Sequence, residues 1–512
     1  MACWNGDISI FEKLVNYGAA VDAQDYPNGN TILHLLVEQG VSDSTLAKET
    51  FESVLKSTAS QQWYSLKNCH DPAKWTSKDD TDFKTYMLYI ENNDGYTPLT
   101  LAAKIGAHEM LDFIMNIEGV YLHTAWCFGN ISFAGYDMAE IDPIIADRVR
   151  PGKPNVLELL AYRKLTEEAL PAFFIPIIGR LISCKWEHHR YQFAFWVVLH
   201  SLLIGMSYKV PVIFLGIHNN IGNMTSLNNT NIEIIDILKH SNTLIFFVVY
   251  LVVVTFVNII LEINDVGRCI IDLAMKLTRK WHKKMYNAPL RVILKIDLFR
   301  VLLLVSSILQ ISSLSYLLVH FELHSFLFSP AFITSCTFCL FFLHGFQMTG
   351  YFSTVIHQIV LTDIVSFAFV FSIILVGFGG TMAIISFDLN DLSGDFHSVK
   401  ASMYTLFFFM LGFGTTDLNS HKNRDMARFI IIVFACLTII LFMNMLIAAM
   451  SETYTKLAPY KHHISRWNRL TAILMIHRKF PRAKAFCKKL THDPERDKWL
   501  LSIETTVPPT CI

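Results

Sequence analysis

Hydrophobic positions in this chain follow two rules. Up to about residue 170 they recur at helical spacing among polar residues, and from Phe193 onward they fuse into long apolar blocks. The blocks are Phe193–Leu215, Leu244–Ile263, Val301–Val319, Ala331–Met348, Ile364–Phe387 and Ala427–Met450. Each has roughly 18–24 residues, enough at 1.5 Å per residue to cross a ~30 Å hydrocarbon core. The fourth is the most polar, with Thr334, Ser335 and Thr337 inside it and His344 near its end. Between the fifth and sixth lies a shorter apolar stretch over 399–411, which stops at Gly412-Phe413-Gly414. Irregular backbone halfway into a membrane survives only where protein or water covers it. A half-span followed by a full span is the layout of a pore loop. The pattern therefore predicts an all-α polytopic membrane protein with six transmembrane helices and a re-entrant pore loop between the fifth and sixth. Both termini then lie on one side.

The polar first part carries a repeat. Gly29-Asn30-Thr31-Ile32-Leu33-His34-Leu35-Leu36 and Gly95-Tyr96-Thr97-Pro98-Leu99-Thr100-Leu101-Ala102-Ala103 share the G-x-T-x-L-x-x-A opening of an ankyrin repeat. Thr31 and Thr97 are two ankyrin periods of ~33 residues apart. No comparable motif stands between them, so a long insertion at about 59–91 within one repeat is expected. The array begins in the middle of a unit and lacks a polar cap, which reads as the tail of a longer solenoid. These features divide the chain into a partial ankyrin-repeat array (1–120), a linker with short strands and pre-membrane helices (121–192), and a four-helix sensor-like domain (193–350). A linker helix (351–363), a pore domain (364–450), a coupling helix (451–480) and a poorly ordered tail (481–512) follow.

Charge sets the orientation. Arg268, Lys276, Arg279, Lys280, Lys283, Lys284, Arg291 and Lys295 crowd the linker after the second block, whereas 208–240 holds only Lys209 and Lys239. The positive-inside rule places the basic linker and both termini in the cytoplasm and 216–241 outside. Two sequons, at Asn223 and Asn228, fall in that external loop and are candidate glycosylation sites. The chain of 512 residues has 43 basic and 43 acidic side chains, so net charge gives no reason to expect nucleic acid. Ten cysteines are scattered and none falls in the segments placed outside, so no disulfide framework is expected. Residues 462–480 space Ile464, Trp467, Leu470 and Leu474 between basic residues, which reads as an amphipathic helix along the inner membrane face.

Candidate chemistry is confined to permeation. Gly412-Phe413-Gly414 would turn the carbonyls of Leu411, Gly412 and Phe413 toward an axis, where they replace part of an ion's hydration shell. Asp417 is placed at the outer mouth, where an acidic ring concentrates cations. Asn444 stands alone among Leu441-Phe442-Met443 and Met445-Leu446-Ile447, where a buried amide favours a local helix irregularity that lets the lower half rotate. Ile447 and Met450 lie at the inner end, where rings of apolar side chains gate by dewetting. Phe332–Tyr351 holds His344 but neither Lys nor Arg, which argues against strong voltage gating. No catalytic set, histidine ligand spacing or phosphate-binding Gly loop stands out, so the chain does not read as an enzyme.

Together these residues resemble the vanilloid subfamily of transient receptor potential channels. His344-Gly345-Phe346-Gln347 through Tyr351 is similar to the family's R-G-F-Q-x-x-G, with His in place of Arg. Asn444-Met445-Leu446-Ile447-Ala448-Ala449-Met450 with Glu452-Thr453 is similar to N-M-L-I-A-L-M-x-E-T. The repeat pair and Asn155-Val156-Leu157-Glu158 also fit. The resemblance implies a tetrameric, non-selective, calcium-permeable cation channel of the cell membrane, gated by sensory, lipid or small-molecule stimuli. Its filter would be Leu411, Gly412, Phe413, Gly414 and Thr415, its lower gate Ile447 with Met450, and its coupling helix that of Trp467 and Arg469. It implies no cofactor beyond permeating Ca²⁺, Na⁺ and K⁺, held transiently at the filter. Partners would be related subunits in a homo- or heterotetramer, membrane lipids, and cytoplasmic proteins at the repeats. Two departures bear on this reading. Thr415 stands where many members have an acid after the second Gly, and Ser465 stands where the family has its coupling tryptophan. The alternative is a non-conducting subunit that regulates a full-length partner.

Overall fold

The computed structural model describes residues 3–67, 77–128, 131–149, 153–161, 163, 170–228, 245–260, 262, 298–320, 325–387, 396–413, 424–479, 490–493 and 498–505. They divide into two compact units, Met1–Gln347 with His462–Ile512, and Met348–Lys461.

The first unit opens with α1 (Ile8–Asn16), α2 (Ile32–Gln39), α3 (Ser44–Lys56), α4 (Thr58–Lys67), α5 (Ser77–Leu88), α6 (Pro98–Ile105) and α7 (His108–Met115). The two G-x-T motifs start α2 and α6 by the same device. Thr31 and Thr97 occupy the N-caps, and each exchanges hydrogen bonds with the residue three positions on, His34 and Thr100. Pro98 adds a preset φ to the first turn of α6, and Gly106 ends it in the left-handed conformation, φ +78°. The helix pairs α2/α3 and α6/α7 stack, α2 on α6 and α3 on α7. Leu33, Leu36, Val37, Phe51, Leu99, Ala102, Met110 and Leu111 are buried in one core. Within it His34 donates from Nε2 to the Tyr96 carbonyl (2.9 Å), which leaves Nδ1 to accept from Thr31. The described part of the segment expected as an insertion supplies α4 and α5, and α2 still meets α6 directly.

Two strands follow, β1 (Leu122–Phe128) and β2 (Ile131–Asp137), then α8 (Pro143–Val149) and α9 (Val156–Ala161). The tail expected to be poorly ordered instead supplies β3 (Leu490–Asp493) and β4 (Lys498–Thr505). These complete an antiparallel sheet of order β1-β2-β4-β3, with Tyr136 opposite Leu501. Its strand Lys-Trp-Leu-Leu-Ser-Ile-Glu-Thr is rich in β-formers, a signal masked by the basic and Pro-containing residues around it. The described residues are therefore mostly helical and include a four-stranded sheet, which corrects the all-α expectation.

The apolar blocks form helices, several longer than expected. α10 (Pro176–Asn228) runs through the first block and past Leu215, with Pro211 inside it. Asn223 and Asn228 thus lie on a helical backbone rather than in a loop. α11 (Ile245–Ile260) corresponds to the second block, α12 (Leu298–His320) to the third and α13 (Ser325–Phe342) to the fourth. Among the described residues five helices are long and apolar enough to cross a membrane, and α11 is shorter. In this unit Phe193, Trp196, Phe299, Leu303, Phe338 and Phe341 form an aromatic core. A polar layer sits beyond it: Gln310 Nε2 donates to Ser207 Oγ (3.1 Å) and Ser335 Oγ (2.8 Å), and His200 Nε2 meets the Ser335 carbonyl at 3.1 Å. Cys184 is disulfide-bonded, an exception among cysteines from which no disulfide framework was expected.

The second unit contains α14 (Gly350–Ile359), a π-helical turn (Val360–Ile364) and α15 (Val365–Phe387), continuous with one another. After them come the short α16 (Val399–Met410), then α17 (Arg424–Ala435), a second π segment (Cys436–Phe442) and α18 (Met443–Leu457). Pro459 marks a 3₁₀ turn (Ala458–Tyr460), beyond which α19 (Lys461–Lys479) carries the chain onward.

Candidate functional site

The second unit holds the residues read as a pore. α16 begins at Ser398, whose Oγ accepts from the Ala401 amide, and it buries Ser402, Leu406 and Met410. Phe371, Met382, Phe396, Ala427, Ile431 and Phe434 complete the cluster around it. Gly379 permits this packing: a Cβ there would lie 2.7 Å from Met403 Cγ and 3.3 Å from its backbone nitrogen.

The end of α16 is specified by Gly412. The Phe413 amide donates to Phe408 O (3.0 Å) and the Gly412 amide to Phe409 O (3.0 Å), while Gly412 takes φ +79°. This is a Schellman closure, and its left-handed position favours glycine strongly. The first glycine of Gly-x-Gly is thus a helix terminator as well as part of the expected filter. Leu411 and Phe413 are exposed, Phe413 at 80%. Gly414, Thr415 and Asp417 lie outside the described residues.

Asn444 stands directly below the π segment. Its Nδ2 donates to Ile440 O at 2.7 Å, so the amide engages a carbonyl within the irregular turn. Thr438 Oγ1 likewise donates to Phe434 O at 2.6 Å. A π turn holds one residue more than an α turn and is common at functional positions. Ile447 is 61% exposed and Met450 half-buried, on α18.

One contact here was not anticipated. Asp363, within the first π turn, accepts from Thr362 Oγ1 and Thr453 Oγ1, both at 2.8 Å, and so fastens the start of the fifth helix to the lower part of α18. The rings of Tyr351 and Tyr454 lie 6.2 Å apart on the same two segments. A lone carboxylate between Val360-Leu361 and Ile364-Val365 was the available signal, because acids within apolar runs need a partner.

The coupling-helix residues belong to the first unit. Trp467 Nε1 donates to the Ala161 carbonyl (3.1 Å), and Arg466 Nη1 to the Phe173 carbonyl (2.7 Å). Arg469 lies 5.9 Å from the Trp186 ring, with its Nε buried and unbonded. His344 is buried against Phe299 (5.1 Å), Phe341 (5.4 Å) and Trp467 (6.5 Å). The histidine that departs from the motif therefore sits within rings, one of them from α19. Arg466 was missed in the sequence, where nothing separates it from its basic neighbours.

The chain is similar over nearly its whole length to known channels. It is 24% identical over 518 residues to transient receptor potential cation channel subfamily V member 6 of Rattus norvegicus, covering 98% of this chain and 60% of that protein. To the Homo sapiens protein of the same name it is 26% identical over 520 residues, with 98% and 61% covered. To subfamily V member 5 of Homo sapiens it is 24% identical over 495 residues, with 94% and 60% covered. No family model matches. The chain spans about 60% of the length of these curated relatives. Its curated homologues are vanilloid-subfamily channels, as the motifs around His344 and Asn444 imply.

Proposed function

Taking that relationship as the premise, we propose that the chain is a subunit of a tetrameric, non-selective, calcium-permeable cation channel. It sits in the cell membrane with both termini cytoplasmic, and answers sensory, lipid or small-molecule stimuli rather than strong voltage gating. The observation that carries the reading is α16, a twelve-residue apolar helix ended by a left-handed Gly412 and packed beside two long apolar helices. Those helices are barely covered: 6% of the most apolar window of Gly350–Ile385 is buried, and 17% of that of Asp425–His477. So much uncovered apolar surface requires lipid and neighbouring subunits.

In this channel Leu411, Gly412, Phe413, Gly414 and Thr415 form the filter, and Asp417 draws cations to its mouth. Ile447 and Met450 close the lower end, and Asn444 supports the irregular turn about which that end moves. Trp467 and Arg469 couple the gate to the cytoplasmic side, where the helical repeats engage cytoplasmic proteins. Asn223 and Asn228 are glycosylated, and Na⁺, K⁺ and Ca²⁺ are cargo rather than resident ions. Expression of the chain alone should give a cation current whose calcium permeability falls in Asp417→Ala. An unchanged reversal potential in that variant removes Asp417 from the filter account. Absence of current alone, with an altered current when a full-length relative is co-expressed, replaces the channel reading with a regulatory subunit.

A further inference from the structure

His189 on α10 and His477 on α19 meet with their Nε2 atoms 2.7 Å apart, ring centroids 4.5 Å apart and planes inclined at 75°. His189 Nδ1 lies 2.8 Å from Gln192 Oε1. An amide oxygen only accepts, so Nδ1 carries the hydrogen and the Nε2 lone pair faces His477. Both rings therefore aim a nitrogen at one point, and an outer hydrogen bond fixes the tautomer and pitch of one of them. Metal-bound imidazoles are arranged in this way.

We propose that His189 and His477 form a binding site for a borderline divalent transition-metal ion of the Zn²⁺ or Ni²⁺ type. At metal–nitrogen distances of about 2.0–2.1 Å, cis ligands at a right angle are about 2.9 Å apart. The imidazoles need part by only a few tenths of an ångström to admit the ion. On binding, the His477 hydrogen moves from Nε2 to Nδ1, the metal replaces it between the two lone pairs, and no net proton is released. Among the described residues no third His, Cys, Asp or Glu joins the pair, so water completes the coordination. The charged neighbours leave room for a cation. Lys185 is neutralised by Asp142 at 2.8 Å, Arg469 lies over the Trp186 ring, and the exposed His188 is edge-on to His189 at 5.2 Å. His189 is 1% exposed and His477 half-buried, so the ion enters from the α19 side. Loaded, the site clasps α10 to α19.

The test uses the purified full chain, stripped by chelator and titrated with Ni²⁺ alone while binding and thermal midpoint are followed. Wild type should melt higher with Ni²⁺ and unchanged with Mg²⁺, which prefers oxygen ligands. Affinity should fall by at least about tenfold in H477Q, no less than the loss of an outer partner costs. Gln192→Ala should weaken binding to a smaller degree, and H188Q should leave it unaltered. Equal Ni²⁺ affinity in H477Q and wild type overturns the proposal. If H477Q does not fold, Cu²⁺ bound to wild type decides: hyperfine coupling to two imidazole nitrogens supports the site, and its absence refutes it.

Discussion

Asp142 and Lys185 provide the sharpest energetic test of the first unit. Their side chains are 5% and 4% exposed, and the ammonium lies 2.9 Å from Oδ1 and 2.8 Å from Oδ2. Oδ1 also accepts from the Ile144 amide at 2.8 Å, so the carboxylate caps the start of α8 while binding α10. Asp142→Leu would leave an ammonium buried without its counter-charge, at a cost of about 3–5 kcal/mol. Roughly 1 kcal/mol of that is the lost cap. Replacing both residues, in Asp142→Leu with Lys185→Met, removes the stranded charge and should restore all but the cap. At ~2.1 cal/mol/K per residue, a unit of about 400 residues shifts its midpoint by only ~1 °C per kcal/mol. The single variant should therefore melt about 3–6 °C lower and the double variant within about 1 °C of wild type. Fluorescence-detected size exclusion after a heating series, at one fixed heating time because unfolding in detergent is rarely reversible, reads both. The deficit should persist at high salt, since a buried pair is little screened. A double variant as unstable as the single one would refute the argument.

Gly412→Ala should destabilise the end of α16 by roughly 1–2 kcal/mol through the left-handed φ alone. Nothing lies within 4 Å of the added methyl, so a wild-type midpoint and unitary conductance would remove the terminator role. Thr453→Val and Asp363→Ala each break the 2.8 Å hydrogen bond between the fifth helix and α18. Each should shift the closed–open balance about tenfold, near 1.4 kcal/mol, and the double variant should shift it no further; additive effects would deny the contact. Burial lowers the pKa of His34, with the Tyr96 carbonyl and Asp25 opposing it in part. Its stabilisation is present above the unfolded histidine value of ~6.5 and is lost as pH falls through the folded value. Proteolytic protection of the repeat region in the full chain should fall from pH 7 to pH 5, and His34→Ala should flatten that slope.

What could be read from the sequence followed the range of the interactions concerned. The starts of α2 and α6 were legible because capping is local: Thr31 and Thr97 act on residues three positions away. The apolar blocks and the end of α16 were legible for the same reason, and so was the helix irregularity near Asn444. The Asp363–Thr453 and His189–His477 contacts join residues far apart in the chain, and no spacing rule links them. β4 was lost for a similar reason, since a strand with no neighbouring partner looks like tail until β2 is placed beside it. Length misled at α10, where the break inferred after Leu215 is absent from the backbone.

Synthesis order gives the sheet a further consequence. β1 and β2 emerge before any of the apolar helices, whereas β4, the strand that covers the free edge of β2, emerges after all of them. At ~5–20 residues per second the ribosome needs tens of seconds to traverse that interval. Throughout it, the β2 edge presents unpaired amides and carbonyls to every other nascent copy. Truncation within the membrane region would make that exposure permanent. A stop codon far from β2 in sequence would therefore act on the sheet of β1 and β2, producing a chain that aggregates through its first hairpin.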